Sequence, residues 1–217
     1  TLYQTLQDQE GVACASVGLA RVALEQGEYE RAEMLFETSL ALRRALGDYN
    51  GVAYVLGDLG DLAQSRGNLM RAAEYYRESI SLAQAQDSRA ALAWALSGLG
   101  FVALAERDSR VAHEHLTSSL AMFQEMDDAL GVVLCLVGFA SAWVTFGPAD
   151  ESTRAVRVLG AVEMELERLG ARMWQPFATE YARTKGVARV QLDAATFDAA
   201  WAAGRAMKLE QVKVIVF

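Results

Sequence analysis

The sequence repeats itself every 40 residues, and this period constrains the fold more than any other feature. A shift of 40 aligns the chain with itself without gaps over most of its length. One phase of the repeat is marked by four similar triplets: Gly11-Val12-Ala13, Gly51-Val52-Ala53, Ala91-Leu92-Ala93 and Gly131-Val132-Val133. Such a period predicts stacked units that bury one continuous core between neighbours.

Each repeat is predicted to contain two helices. Residues that cap helix starts share one phase, at Asp8, Asp48, Ser88 and Asp128. We expect the first helix to end at a residue that tolerates positive φ, at Gly27, Gly67 and Gly147, with Arg107 as the exception in the third repeat. Asn68, Asp108 and Pro148 then predict the start of the second helix. These signals predict an all-α chain with repeats 8–47, 48–87, 88–127 and 128–170, preceded by a truncated helix 1–7.

The repeat is lost after Gly170. Trp174-Gln175-Pro176 predicts the start of one helix, and residues 193–207 predict another, with Phe197, Trp201 and Ala202 facing inward. A terminal repeat needs a polar outer face. We therefore predict two domains, the repeats of 1–170 and a helical C-terminal cap of 171–217.

The repeat resembles the tetratricopeptide repeat. Its pattern is visible in the second unit as Leu59-Gly60, Gly67-Asn68-Leu69, Ala72 and Tyr76. The period of 40 exceeds the usual 34 and fits a second helix that is about 1.5 turns longer. The resemblance implies a right-handed α-solenoid whose first helices line a concave face.

The resemblance also implies which residues face a partner. Carried over by phase, the candidates for a protein, peptide or small-effector groove are Arg21, Tyr54, Asp61, Gln64, Trp94 and Phe101, with Leu24, Glu25, Ser97, Leu134, Ser141 and Thr145 at related positions. Aromatic anchors with a few polar residues are typical of a recognition groove. The same spacing also suits packing of Trp94 and Phe101 between neighbouring first helices, and the sequence leaves both interpretations open.

The C-terminal part resembles the ends of large bacterial ATP-dependent transcriptional regulators of the LuxR and antibiotic-regulator types. The similar segments are Arg154–Glu163 and Phe197–Met207, whereas Lys208 and the β-branched end 212–217 depart from the pattern. This resemblance implies a non-catalytic interaction or effector-sensing module of a larger cytoplasmic regulator. The alternatives are a free-standing scaffold or adaptor, or a small-molecule sensor that uses the concave groove.

Composition argues against several other classes. The chain has 20 Lys and Arg against 28 Asp and Glu, a net charge of −8, so it lacks the basic footprint of a nucleic-acid-binding surface. The uncharged stretch 129–149 is long enough to cross a membrane, but acidic residues flank it and the repeat explains it as a buried helix. Cys14 and Cys135 have no metal-type spacing, and the start of the sequence carries no signal peptide pattern.

No catalytic, cofactor or metal residues are predicted. Gly98–Ala103 fits a dinucleotide-binding fingerprint, but these residues lie inside a predicted helix rather than after a strand. His113 and His115 are two residues apart and therefore point to different sides of a helix.

The first residues suggest a preceding repeat. Thr1–Leu6 align with Ala41–Leu46, the end of a second helix. We therefore expect an exposed edge on the first full helix, including Val12, Ser16 and Leu19, and a homodimer through this edge.

Overall fold

A computed structural model describes residues 8–148 and 150–216, and the predicted helix 1–7 lies outside the described residues. The described residues form eleven α-helices and no β-strand. The helices are α1 Gln9–Glu25, α2 Tyr29–Leu46, α3 Tyr49–Ser65, α4 Leu69–Ala85, α5 Arg89–Ala105, α6 Ser109–Glu125, α7 Ala129–Phe146, α8 Glu151–Leu169, α9 Phe177–Gln191, α10 Ala194–Arg205 and α11 Leu209–Val216. The described residues form two compact units, unit 1 up to residue 102 and unit 2 from residue 103 onward.

The predicted fold class, an all-α solenoid of tetratricopeptide type built from consecutive helix pairs, is confirmed. The first helices of the repeats begin at Gln9, Tyr49, Arg89 and Ala129, which reproduces the 40-residue period. The domain division predicted at residue 170 stays a prediction.

Five of the polar residues predicted to cap the helices do so. The carboxylates of Asp8, Asp48 and Asp128 each accept a hydrogen bond from the amide three residues later, at 2.8 to 3.0 Å. Asn68 and Asp108 do the same for the second helices, at 3.1 and 3.0 Å. Each cap satisfies an amide that has no partner within its helix, so the repeat fixes its own helix starts.

The turns between helices adopt left-handed backbone at regular positions. Gly27, Gly67 and Arg107 lie in the turns that follow the first helices, with φ of 75°, 75° and 64°. Arg107 adopts this conformation although its Cβ makes it unfavourable. Helix α7 ends at Gly147 as predicted, but this glycine is extended (φ −78°, ψ 164°), the conformation favoured before a proline, and not left-handed. Helix α8 accordingly begins at Glu151 rather than at Pro148.

The core of unit 1 is built around aromatic side chains from the second helices. Phe36 on α2 is fully buried in an apolar cluster with Leu56 and Leu59 of α3. Tyr76 on α4 is 1% exposed. A Cβ on Gly60 would lie 2.5 Å from the Tyr76 ring, and one on Gly98 would also meet the ring. Glycine at these positions therefore gives the ring space between α3 and α5.

Unit 2 is centred on α7, which carries no charged residue. This helix has a mean hydropathy of 2.1 over 18 residues, and among the described residues it alone is long and apolar enough to cross a membrane. Of these 18 residues 67% are buried, and the helix packs against α6, α8 and α9. The prediction of a buried helix is therefore confirmed.

Helices α9 to α11 complete unit 2. Helix α10 lies against α8, where a Cβ on Gly160 would come within 2.6 Å of the Trp201 carbonyl oxygen. Phe197 is buried and Trp201 half-buried, as predicted. The prediction for Ala202 is wrong: it is exposed, and Ala200 is buried instead because it lies one turn from Phe197 on the same side.

Candidate partner-binding face

Four of the predicted partner-facing residues of unit 1 lie on the neighbouring helices α1 and α3: Arg21, Tyr54, Asp61 and Gln64. Tyr54, Asp58 and Asp61 are spaced four and three residues apart, so they share one side of α3. Arg21 extends from α1 onto the same side and contacts Asp58. Arg21, Tyr54, Asp58, Asp61 and Gln64 are called the first-helix face below.

An ion pair joins the two helices of this face. Arg21 donates two hydrogen bonds to Asp58, from Nε to Oδ1 at 2.9 Å and from Nη2 to Oδ2 at 3.1 Å. The Asp58 side chain is 11% exposed and that of Arg21 59%, so the guanidinium covers the carboxylate and remains open to solvent. Burial raises the pKa of Asp58, and the charge of Arg21 opposes this effect.

The buried hydroxyl of Tyr76 contacts two other polar residues of the first-helix face, Asp61 and Gln64. Its hydroxyl donates to Asp61 Oδ1 at 2.6 Å and lies 3.3 Å from Gln64 Oε1. Burial and the neighbouring Asp61 carboxylate raise the pKa of Tyr76 well above its ordinary value, so the hydroxyl stays protonated and remains a donor. The protonated hydroxyl thus holds the Asp61 carboxylate in one orientation.

Two residues of this arrangement were not predicted as functional. Asp58 occupies the phase at which Gly18, Gly98 and Gly138 stand in the other repeats, and this break in the pattern was the available signal. Tyr76 belongs to the repeat pattern, but residue spacing alone does not identify Asp61 as the hydrogen-bond partner of its hydroxyl.

The three aromatic residues predicted for the groove differ in exposure. Tyr54 is 36% exposed, and Trp94 is half-buried. Phe101 is only 2% exposed, so its ring contributes to packing rather than to an open surface. Their role in partner binding stays a prediction.

In unit 2 the corresponding positions are already occupied. Arg183 of α9 donates to Ser141 Oγ at 3.0 Å and to Thr145 Oγ1 at 3.1 Å, and the Ser141 hydroxyl also bonds Glu180. The expectation that Ser141 and Thr145 face a partner is therefore wrong, because α9 packs on this side of α7. The corresponding side of unit 1 carries the exposed Arg21 and Tyr54.

The sequence similarity found for the chain agrees with this architecture. Residues 11–85 match the model of the tetratricopeptide repeat family. The match covers most of α1 and all of α2 to α4 and supports a tetratricopeptide-repeat domain there. Proteins of this family are generally interaction scaffolds without catalytic activity. No curated protein matches the chain significantly.

The dinucleotide-like motif has a structural explanation. Gly98 lies in the interior of α5, where a Cβ would meet the Tyr76 ring. A phosphate-binding glycine would instead lie between a strand and the start of a helix. Among residues 8–148 and 150–216, no three His, Cys, Asp or Glu side chains are placed to hold a metal ion.

Proposed function

We propose that this chain is the protein-interaction module of a larger, cytoplasmic bacterial transcriptional regulator, and that its partner binds the first-helix face of unit 1. The observation that carries the proposal is the juxtaposition of Arg21, Tyr54, Asp61 and Gln64 on one open side of two tetratricopeptide-type helices. Tetratricopeptide repeats generally mediate contacts between proteins.

The face has the composition of an interface centre. Tyr54 supplies a partly exposed ring, and aromatic side chains commonly provide most of the binding free energy at interfaces. The Arg21–Asp58 pair and Asp61 supply charges that discriminate between partners, since a partner lacking a matching group leaves them desolvated and unpaired.

Site-specific photocrosslinking tests the proposal. A photoreactive amino acid replaces Tyr54 in one variant and Met70, which is 72% exposed on α4 outside the face, in the control. The full-length protein from its host should crosslink a partner from position 54 and not from position 70. The affinity of the purified partner is then measured by calorimetry for Tyr54→Ala and Met70→Ala.

The expected result is a loss of affinity of about thirtyfold for Tyr54→Ala, which corresponds to about 2 kcal/mol at an interface hot spot, and no loss for Met70→Ala. Equal crosslinking from both positions, or unchanged affinity of the Tyr54→Ala variant, would contradict the assignment of this face.

The regulator context rests on the resemblance of Arg154–Glu163 and Phe197–Met207 to the ends of such regulators. The proposal predicts that the gene also encodes a nucleotide-binding module with a GxxxxGK[ST] motif and a DNA-binding domain. Sequencing of the surrounding gene region tests this, and a gene with neither module would instead support a free-standing scaffold.

Self-association through α1 is a further part of the proposal. Of the residues predicted at the exposed edge, Leu19 is 45% exposed and Val12 is half-buried, whereas Ser16 is buried. Val22, one turn from Leu19, is 53% exposed. The equivalents of Leu19 and Val22 one repeat later, Leu59 and Leu62, are both 2% exposed. An apolar stripe of this kind favours association with another molecule. Light scattering should show dimers that dissociate in the double variant Leu19→Glu, Val22→Glu. Dimers that persist in this variant would place the interface elsewhere.

A further inference from the structure

Unit 2 contains a cavity of about 480 Å³ that lies away from the α7 side contacted by α9. Its walls are the α6–α7 turn, the last turns of α8 and the α10–α11 turn. This volume lies within the range of small-molecule sites. One wall is the turn between α10 and α11, and these helices follow the repeats. The 40-residue period therefore could not predict this cavity.

Part of the lining is apolar and adaptable. Phe123 and Val132 are buried, whereas Met164 and Met207 are half-buried and come from different walls. Methionine side chains adjust to the shape of a ligand because they are flexible and polarisable. The cavity can therefore hold an apolar group of more than one shape.

Most of the charged groups of the lining are engaged within the protein. Arg168 donates to both oxygens of Glu165, at 2.9 and 2.5 Å, and this bonding lowers the pKa of Glu165. Asp128 caps α7, and Glu210 has interactions of its own.

Two charged side chains of the lining, Asp127 and Lys208, are not engaged in such contacts. The side-chain carboxylate of Asp127 and the ammonium of Lys208 form no ion pair or hydrogen bond with a described residue. Asp127 belongs to the α6–α7 turn and Lys208 to the α10–α11 turn, so one negative and one positive group belong to different walls. Both residues are exposed. A ligand that covers them withdraws their charges from water, which is unfavourable unless each finds an opposite charge.

We propose that this cavity binds a small zwitterion with an apolar body, the chemical class to which apolar α-amino acids belong. The ammonium of the ligand pairs with Asp127, its carboxylate pairs with Lys208, and its apolar part lies on Met164 and Met207. A purely anionic or cationic ligand matches only one of the two free charges. This inference is independent of the partner-binding face in unit 1.

Calorimetry on the full chain tests the proposal with three matched probes: phenylalanine, phenethylamine, which lacks the carboxylate, and 3-phenylpropionate, which lacks the ammonium. Phenylalanine should bind with one-to-one stoichiometry. Each probe that lacks a charged group should bind about tenfold or more weakly, as expected for the loss of one charge-assisted contact.

Substitutions assign the two contacts. Asp127→Asn should weaken phenylalanine binding about tenfold and leave 3-phenylpropionate binding unchanged. Lys208→Gln should likewise weaken phenylalanine binding about tenfold, and it should leave phenethylamine binding unchanged. Asp87→Asn is the matched control, because Asp87 occupies the same turn one repeat earlier with φ of 51° against 53° for Asp127. No saturable binding, equal affinity for the three probes, or an equal effect of Asp87→Asn would overturn the proposal.

Discussion

Alanine substitutions at two glycines of equal repeat phase should have opposite effects on stability. Gly18 and Gly98 are 80 residues apart, two periods of the repeat, and both lie inside first helices. A Cβ at Gly18 would meet nothing within 4 Å, whereas a Cβ at Gly98 would lie no farther than 2.8 Å from three atoms of the Tyr76 ring. The chemical change is the same, and only the surroundings differ.

The magnitudes follow from helix propensity and overpacking. In a helix interior, alanine is more favourable than glycine by about 0.5 to 1 kcal/mol, so Gly18→Ala should stabilise the protein by that amount. At Gly98 the same gain is offset by overpacking, which costs about 1 to 3 kcal/mol. The Tyr76 ring cannot move away easily, since it is 1% exposed and its hydroxyl is bonded to Asp61 at 2.6 Å. The two variants should therefore differ by about 1 to 3 kcal/mol.

Urea unfolding followed by circular dichroism measures this difference, and thermal unfolding should show Gly98→Ala melting several degrees below Gly18→Ala. Replacing Tyr76 with the smaller Leu in the Gly98→Ala background should reduce the cost of the alanine, since ring and Cβ then no longer compete for space. If Gly98→Ala stabilises the protein as much as Gly18→Ala does, the reasoning about ring packing is refuted.

Three further predictions concern single residues. Arg107→Gly should stabilise the protein by up to about 1 kcal/mol because it relieves a left-handed φ of 64°, whereas Gly67→Arg should destabilise it, and both are measured by urea unfolding. Cys14 should react with a thiol reagent at pH 8 in the native protein while Cys135 stays unreactive until denaturant is added, since burial raises the pKa of Cys135 to about 12; equal rates for both thiols would contradict this. The pKa of Asp58 is raised on folding, so native Asp58 binds a proton more tightly than unfolded Asp58 and its contribution to stability, present at acid pH, is lost as the pH rises through the native pKa. The free energy of unfolding of the wild type, measured relative to Asp58→Asn, should therefore fall from acid to neutral pH.

The repeat period predicted most of the fold because its signals are local. A capping carboxylate such as Asp48 bonds an amide three residues away, so its effect is visible within one turn of sequence. The failures occurred where neighbours or tertiary packing override such signals. Gly147 is extended because proline follows it, and Ala202 is exposed because the Gly160–Gly204 contact region fixes how α10 lies on α8.

The candidate sites were predictable only in part. Phase placed Arg21, Asp61 and Gln64 on one side of the first helices, and the structure brings them together through Asp58 and Tyr76. The Arg21–Asp58 bond spans 37 residues, and no spacing rule connects its partners. The cavity of unit 2 was missed because Asp127 and Lys208 come from turns that share no repeat.

The composition of α7 has a consequence for synthesis of the chain. Its 18 residues carry no charge, and α8 and α9, which cover it, follow it along the polypeptide. As the chain leaves the ribosome, this apolar segment is therefore exposed before its covering helices exist, and exposed apolar surface of this kind is prone to aggregation. Both covering helices have been synthesised once the next 45 residues, as far as Gln191, have been translated. The side of α7 that α8 and α9 cover can therefore be buried only after these later helices have been synthesised.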